Sequence, residues 1–269
     1  MERRAIPGSG ETIPVIGCGT WQAFDVPVEA SRITPLVAVV QALVDGGGSL
    51  IDSSPMYGRA EAVVGAAMAQ LGVRPKCFVA TKVWTRGREA GIAEMRRSME
   101  LLGVDQLDPM QIHNLLDWRT HLSTLRDWKA AGTIRYLGVT HYTASAHAEL
   151  ADVLRREPVD FVQINYSIEE PEAATEILPL AADKGIAVIV NRPFGGGGTV
   201  RRLAGKQLPE WAGEYGCSTW SQLLLKWVLA QPAVTCIIPG TGRAAHMTED
   251  CAGGDPPFPD AARLRALMA

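Results

Sequence analysis

The chain has 269 residues, of which 47% are hydrophobic and 20% are charged, and its formal net charge is −3. No run of lysines and arginines forms a basic stripe, so a nucleic-acid partner is not expected. No apolar stretch approaches the roughly 20 residues that cross a bilayer, so no membrane span is expected either. The opening residues, MERRAIPGSGETIP, lack the apolar segment of a secretion signal, and we expect a cytoplasmic protein.

Short apolar runs along the chain have the composition of buried parallel strands. The N-terminal segment RAIPGSGETIPVIG (4–17) comes first and predicts a β-hairpin that turns over Gly8–Gly10. The later runs are rich in β-branched residues and continuously apolar, which is typical of strands covered on both faces. The predicted strands cover 15–20, 49–52, 77–82, 106–113, 134–140, 160–165, 186–191 and 233–238.

Segments of helical period separate these strands. The clearest predicted helices cover 29–47, 60–72, 88–103 and 175–185. In the third, Ile92, Met95 and Met99 recur at three- and four-residue steps, as the core-facing side of a helix requires. Several helices are predicted to end at a left-handed glycine cap, at Gly46, Gly72, Gly103, Gly132 and Gly185.

Eight strand–helix units follow one another without a linker or a change in composition. They predict a single α/β domain over residues 1–269, a closed (β/α)8 TIM barrel with the N-terminal β-hairpin at one end. In this architecture the functional groups project from the C-terminal ends of the strands.

The cysteines and histidines predict neither a disulfide framework nor a metal site. The five cysteines are scattered and contain no C-x-x-C pair, which favours a reducing compartment. Cys18, Cys77 and Cys236 lie in apolar runs, where a free cysteine commonly packs in the core. His141 and His147 are not spaced to share one helical face, so no metal is expected.

Four polar residues fall at or just after predicted strand ends, namely Asp52, Tyr57, Lys82 and His113. Reducing a carbonyl leaves negative charge on oxygen, so such a site must supply a proton or strong donors. Tyr57 can donate, and the Lys82 ammonium favours the phenolate and lowers a phenol pKa of about 10. Asp52 would hold Lys82, and His113 would orient the carbonyl. Each residue alone fits a packing role or a structural ion pair, but their convergence indicates a catalytic site.

These residues and their neighbours resemble the aldo-keto reductase superfamily. The matching segments are DGGGSLIDSSPMYGRAEAVVG with Asp52 and Tyr57, ATKVW with Lys82, and QIH with His113. The resemblance implies a barrel that binds an extended nicotinamide cofactor without a Rossmann domain and reduces small-molecule aldehydes or ketones. It fits a monomer or a small homo-oligomer. GCGTWQ (17–22) lacks the third glycine of a dinucleotide fingerprint, so a Rossmann interpretation is weak.

The same resemblance implies a set of cofactor contacts. In LGVTHY (137–142), Thr140 and His141 replace the Ser and Asn that grip the nicotinamide carboxamide, and Gln163 is the third contact. Asn191 replaces the aromatic residue that stacks on the nicotinamide, which is a departure from the family. The other expected contacts are Thr20, Trp21, Asp52, Arg192, Pro193, Phe194, Gly195, Gly240, Thr241, Arg243, His246, Glu249 and Asp250.

Two glycine-containing loops among these contacts predict phosphate sites. The Gly195–Gly198 run lets backbone amides approach a pyrophosphate with Arg192 beside it, although a flexible lid explains the run equally well. IIPGTGRAAHMTEDC (237–251) resembles the family's phosphate-gripping loop, and Arg243 suits planar phosphate recognition. Asp250 would repel phosphate there. NADPH is nevertheless expected over NADH because of Arg243 and the start of the following helix, with NADH kept as the alternative.

The expected substrate pocket combines Trp21, Tyr57, Trp84, His113 and Asn114. Two indoles beside the reacting carbonyl favour small or aromatic substrates, although either one can equally pack a loop. Asn114 stands where many relatives have Trp, which opens or polarises that wall. The segment after PPFPD (256–260) predicts a short C-terminal substrate loop and broad specificity.

Two other functions stay open from the sequence. The departures at Thr140, His141 and Asn191 leave room for a non-catalytic barrel that binds nicotinamide as a redox sensor or regulatory subunit. A lysine at a barrel strand end also suits a Schiff-base lyase, with Lys82 as the nucleophile. Pairing with Asp52 opposes that reaction, because it keeps Lys82 protonated.

Overall fold

The computed structural model describes residues 1–260, Arg263 and Leu267. Eight parallel strands follow one another in chain order around a single sheet. Bridges from Ile16 to Ile237 and from Gly19 to Gly240 join its last strand to its first, so the sheet closes into the predicted (β/α)8 barrel. The expected substrate loop after residue 260 falls mostly outside the described residues.

The strand bounds agree with the predicted runs to within a few residues. A two-stranded hairpin precedes the barrel, with β1 and β2 pairing antiparallel. The strands are β1 (Arg3–Ala5), β2 (Thr12–Pro14), β3 (Cys18–Gly19), β4 (Leu50–Asp52), β5 (Phe78–Val83), β6 (Leu107–His113), β7 (Ile134–Thr140), β8 (Phe161–Asn165), β9 (Ala187–Asn191) and β10 (Val234–Ile237).

Helices cover the outside of the barrel, and their apolar faces pack on the strands. The four clearest predicted helices are all present. The described helices are α1 (Ala30–Asp45), α2 (Ala60–Leu71), α3 (Arg88–Leu102), α4 (Trp118–Ala130), α5 (His147–Arg156), α6 (Ile177–Lys184), α7 (Gly198–Leu203), α8 (Trp220–Leu229) and α9 (Ala244–Ala252). Among the described residues, no helix combines the length and the hydropathy needed to cross a membrane.

The hairpin closes the N-terminal end of the barrel. Ile6 and Ile13 from the hairpin are buried in one cluster with side chains from inside the barrel, including Phe78 and Phe161. Arg135 on β7 then ties the hairpin to the barrel, because it donates to Glu11 and to Asp108. The barrel is therefore plugged at this end and open at the other.

The predicted left-handed glycine caps are confirmed at four helix ends and wrong at one. Gly132 has φ +74° two residues after the end of α4. Gly72, Gly103 and Gly185 have the left-handed conformation directly after α2, α3 and α6. Gly46 instead has φ −74°, and the positive φ falls on Gly47. A Cβ on Gly46 would lie 2.7 Å from the Cys251 side chain, so packing between α1 and α9 explains this glycine.

Candidate active site

Asp52, Tyr57, Lys82 and His113 converge at the open end of the barrel. Asp52 ends β4, His113 ends β6, and Lys82 lies near the end of β5 between them. Asp52, Tyr57 and His113 line a cavity of about 620 Å³, and Lys82 lies fully buried behind that wall. The structure thus brings together the four residues that the sequence places at separate strand ends.

Lys82 and Asp52 form a buried ion pair. Lys82 Nζ donates to Asp52 Oδ2 at 2.6 Å and to the Ser53 carbonyl oxygen at 2.7 Å. Burial opposes the Lys82 charge, but the Asp52 carboxylate and Tyr57 outweigh it and raise the pKa of Lys82. The lysine is therefore an ammonium at neutral pH and not a free nucleophile, which argues against Schiff-base chemistry.

Tyr57 sits on a short 3-10 turn, Pro55–Tyr57, that the local sequence builds directly after β4. Ser54 caps the turn by accepting from Met56 N–H at 3.2 Å, and proline at the first position has its φ already set. Gly58 follows with φ +63°, where a Cβ would meet the Asp25 carboxylate at 2.4 Å. Capping residue, proline and glycine together aim the Tyr57 ring into the cavity.

The pKa of Tyr57 is the net result of opposing effects. Burial raises the pKa above its ordinary value, the Lys82 ammonium lowers it, and Asp52 raises it again. Lys82 Nζ lies 5.1 Å from the Tyr57 ring centroid. The Lys82 contribution has the expected direction, but burial is larger, so the Tyr57 pKa is raised and not lowered as the sequence predicted. Tyr57 is therefore a protonated phenol at neutral pH.

His113 lies against Tyr57 as a neutral imidazole. The two ring centroids are 5.7 Å apart with the planes nearly perpendicular. Burial, together with Lys82 and His141, lowers the pKa of His113 to about 2. Ser54 Oγ lies 2.9 Å from His113 Nδ1, a contact that the sequence reasoning missed.

Asp52 also links the acid–base residues to the side of the cavity where the nicotinamide is expected. Its Oδ1 accepts from Gln163 Nε2 at 2.8 Å and from Gln111 Nε2 at 3.3 Å. Thr140 Oγ1 in turn donates to Gln163 Oε1 at 3.1 Å. Thr140 and Gln163 both line the cavity, whereas His141 does not. The His141 ring instead stacks on Tyr142 at 5.6 Å.

The loop after β9 has unpaired polar atoms and an unusual backbone. Asn191 donates through Nδ2 to the His141 carbonyl oxygen at 3.1 Å. Its Oδ1 is buried without a hydrogen-bond partner among the residues that the structure describes, and so is Arg192 Nε. Gly195, Gly196 and Gly197 have φ values of +57°, +67° and +84°. Arg192, Pro193 and Phe194, the predicted cofactor contacts, line the cavity, and so do Gly196 and Gly197; Gly195 does not.

Large apolar side chains surround the mouth of the cavity. Trp21, Met56, Trp84 and Tyr142 are each more than a third exposed and all line it. Tyr142 was missed from the sequence, although it directly follows the predicted Thr140–His141 pair. Thr20, an expected cofactor contact, and Asn114, an expected substrate contact, also line the cavity. Asn114 Oδ1 is buried without a partner in the described part of the chain.

The predicted adenosine-phosphate residues lie beyond the cavity wall, around the start of α9. Gly240 lines the cavity, and Thr241 Oγ1 lies 3.4 Å from His246 Nδ1, with Arg243 exposed beside them. Glu249 accepts from Ser221 Oγ at 2.7 Å. Burial, with a contribution from Glu249, raises the pKa of Asp250 to about 8.

Arg201 was also missed from the sequence, because it lies in α7 outside any quoted motif. It lines the cavity, and a Cβ on Gly197 would lie 3.1 Å from its Nη1. The sequence feature that could have identified Arg201 is its position one helical turn after the glycine run 195–198. Among the described residues, no group of three or more His, Cys, Asp and Glu side chains is arranged to hold a metal ion.

Comparison with known proteins agrees with this geometry. The aldo/keto reductase family model matches residues 15–261. The chain is 28% identical to methylglyoxal reductase YeaE of Escherichia coli (strain K12), covering 94% of this chain and 89% of that protein. It is 26% identical to the NADH-specific methylglyoxal reductase of the same organism, with 90% of each covered. A crystal structure of an aldo/keto reductase from Klebsiella pneumoniae with NADP and acetate has a TM-score of 0.83 at 26% identity, covering 100% of this chain and 96% of that one.

Proposed function

This chain belongs to the aldo/keto reductase family, and we propose that it uses NADPH to reduce small aldehydes or ketones to alcohols. The observation that carries the proposal is the pairing of two neutral donors at one wall of the cavity. The Tyr57 phenol and the His113 imidazole lie with ring centroids 5.7 Å apart, and the Lys82–Asp52 ion pair is buried directly behind them.

In the proposed reaction, His113 and Tyr57 both donate hydrogen bonds to the carbonyl oxygen. When bound, a reduced nicotinamide supplies the hydride that the carbonyl carbon accepts. Tyr57 transfers its proton to the oxygen as negative charge develops there, and this assistance is worth about 10²–10⁴ in rate. Lys82 stabilises the resulting phenolate, and Asp52 holds the ammonium in place. The raised pKa of Tyr57 suits this role, because the acid must be protonated beforehand.

The residues along the cavity fit a nicotinamide dinucleotide. Asn191 Oδ1 is a buried acceptor with no partner among the described residues, and it suits the amide protons of a carboxamide. Thr140 and Gln163 would hold the same group. Arg192 Nε is a buried donor that has no partner within residues 1–260. It lies beside the glycine run 195–197, where a phosphate can approach the backbone closely because no Cβ intervenes.

NADPH is preferred in this proposal because of the residues around α9. Arg243 is exposed at the N-cap of that helix, where both its guanidinium and the helix dipole favour a phosphate. From the sequence, an Asp250 carboxylate was expected to repel this phosphate. Since burial raises the Asp250 pKa to about 8, this group is largely uncharged at neutral pH and the repulsion is weakened.

The cavity walls favour a small or aromatic carbonyl compound. Trp21 and Trp84 are 46% and 42% exposed at the mouth, so both present indole surface to an incoming substrate. The two Escherichia coli relatives are methylglyoxal reductases, which makes methylglyoxal a suitable first substrate to test. Asn114 adds a polar group to one wall.

The proposal is tested by following NADPH oxidation with a panel that includes methylglyoxal and benzaldehyde. We expect protein-dependent oxidation that is matched by formation of the alcohol. Tight NADPH binding without acceleration by any carbonyl would overturn the proposal and favour a non-catalytic sensor. Repeating the assay with NADH tests the cofactor preference separately.

A further inference from the structure

We propose that Ser54 is a positioning residue of this site. Its hydroxyl donates a hydrogen bond to His113 Nδ1, so that the other ring nitrogen, Nε2, carries the proton and serves as the donor to the cavity. The inference rests on the proposed carbonyl reduction, in which the Nε2–H group meets the substrate oxygen.

The contact between the two side chains is short and shielded from solvent. Ser54 Oγ lies 2.9 Å from His113 Nδ1, with Ser54 fully buried and His113 5% exposed. Within the described part of the chain, Nδ1 is the only nitrogen of this ring with a hydrogen bond to protein. The ring also lines the cavity, which leaves Nε2 for a ligand.

The direction of this hydrogen bond follows from the other partner of Ser54. Its Oγ accepts from Met56 N–H at 3.2 Å, and no acceptor other than Nδ1 is found for its proton among the described residues. If Nδ1–H donated to Oγ, the hydroxyl proton would be buried without an acceptor, which is strongly disfavoured. The hydroxyl must therefore donate to Nδ1.

The ring holds only one proton. Burial, Lys82 and His141 all disfavour a second positive charge next to the Lys82–Asp52 pair, and they lower the pKa of His113 to about 2. Since Nδ1 is the acceptor, the single proton resides on Nε2. In the opposite tautomer the ring would present a lone pair to the carbonyl oxygen and repel it.

The same hydroxyl also positions Tyr57. It caps the turn Pro55–Tyr57, so one side chain sets both the placement of the phenol and the tautomer of the imidazole. Ser54 thus positions both groups that donate hydrogen bonds to the substrate oxygen, without contacting the substrate itself.

The tautomer can be measured by ¹⁵N NMR of the histidine rings in the full-length wild-type protein. His121 is an internal reference, because its Nε2 lies 2.8 Å from the Thr85 carbonyl oxygen, which can only accept. We expect His113 to show the neutral Nε2–H pattern at pH 7, with an Nε2-bound proton like that of His121. An Nδ1–H pattern for His113 would overturn the proposal, whether or not the protein reduces carbonyls.

Two variants then test the role of the hydroxyl. Ser54→Ala should give a mixture of His113 tautomers and reduce kcat about 10-fold, because the oxyanion donor is no longer held in one state. Ser54→Thr keeps the hydroxyl and should recover both the spectrum and most of the turnover. An unchanged tautomer and an unchanged kcat in Ser54→Ala would overturn the proposal. Failure of wild-type turnover would overturn the reductase function but leave the tautomer result intact.

Discussion

Two regions of the cavity differ in how their polar groups are paired. The acid–base wall consists of Asp52, Tyr57 and His113 with Lys82 buried behind them, and the cofactor side consists of the loop 191–197. Asp52 accepts hydrogen bonds from Lys82, Gln163 and Gln111, all on strands. In contrast, Asn191 Oδ1 and Arg192 Nε are buried without partners among the described residues. The Asp52 carboxylate is thus paired within the protein, and Gln111 Oε1 behind it, although unpaired among the described residues, does not line the cavity. Asn191 and Arg192 do line the cavity, so a ligand could satisfy their unpaired atoms.

The backbone shows the same difference. Asp52, Lys82 and Gln163 project from regular strands, which place a side chain to within a small tolerance. Arg192 instead has φ +53°, and three glycines with positive φ follow it closely. Side chains held on regular strands suit stabilisation of a transition state, since they need no rearrangement as charge develops. A loop with unpaired groups suits cofactor capture.

The largest expected effect is that of Tyr57→Phe, which tests whether the Tyr57 hydroxyl transfers the proton. Turnover should fall about 10²–10⁴-fold because the acid is removed. The NADPH dissociation constant should stay near the wild-type value, since the hydroxyl acts on the substrate. Tyr136→Phe is the matched control at the barrel floor, where the phenol bonds to Glu11 and Ser9, and should keep its turnover. Reductase activity that survives Tyr57→Phe would break the assignment.

Lys82→Met tests the ion pair behind this wall. It leaves the Asp52 carboxylate buried without its cation, so we expect a loss of about 3–5 kcal/mol in unfolding free energy together with loss of turnover. The matched control is Lys226→Met. Lys226 is also buried but donates to the carbonyl oxygens of Asp255 and Pro257, away from the cavity. Its loss should reduce stability and leave kcat unchanged in the folded protein; equal loss of kcat in both variants would argue that stability alone explains the effect.

The two regions should also respond to pH with opposite sign. The folded pKa of Asp250, about 8, exceeds its unfolded value, so the stability that this group contributes is lost as pH rises. As the pH rises from 5 to 7, the unfolding free energy of Asp250→Asn should therefore increase by about 3 kcal/mol relative to that of wild type.

His113 should show the opposite pH dependence. The folded pKa of His113, about 2, lies below its unfolded value, so wild-type stability is lost as pH falls below about 6.5. His113→Gln should thus gain relative to wild type toward pH 5. Urea unfolding at both pH values would contradict this account if the two variants changed in the same direction.

The smallest expected effect concerns cofactor selectivity at the edge of the cofactor side. Arg243→Ala should weaken NADPH binding about 10-fold, or about 1.4 kcal/mol, and leave NADH binding nearly unchanged. Titration of both cofactors by fluorescence provides the measurement. Equal weakening of the two would mean that Arg243 does not meet the 2′-phosphate.

The sequence predicted the acid–base wall better than the cofactor side, for a physical reason. Asp52, Lys82 and His113 occupy regular strands whose apolar periodicity fixes where each strand ends. Once eight strands were recognised, the barrel alone required their side chains to meet. The closed sheet and the hairpin were predicted in this way and are confirmed.

The contacts that were missed depend on three-dimensional neighbours rather than on period. Ser54 reaches His113 because the turn after β4 comes close to the end of β6, two strands away in the barrel, whereas from local sequence a serine before a proline indicates only a turn residue. Tyr142 lines the cavity and stacks on His141, which does not line it, and local sequence does not show which of these two adjacent rings faces the cavity. Gly46 was assigned to a cap because local sequence does not show that Cys251 packs on it. The roles of the individual site residues stay predictions, as does the extent of one domain over residues 1–269.

The central claim is that the acid–base wall assists hydride transfer from a bound reduced nicotinamide to a carbonyl carbon. Isotope transfer tests this claim most directly. NADPH that carries deuterium on the transferred position of nicotinamide C4 is turned over with the most reactive aldehyde of the panel. The account predicts an alcohol with deuterium on the former carbonyl carbon, in a one-to-one ratio with oxidised cofactor. Cofactor that stays reduced, or an alcohol without the label, would contradict it.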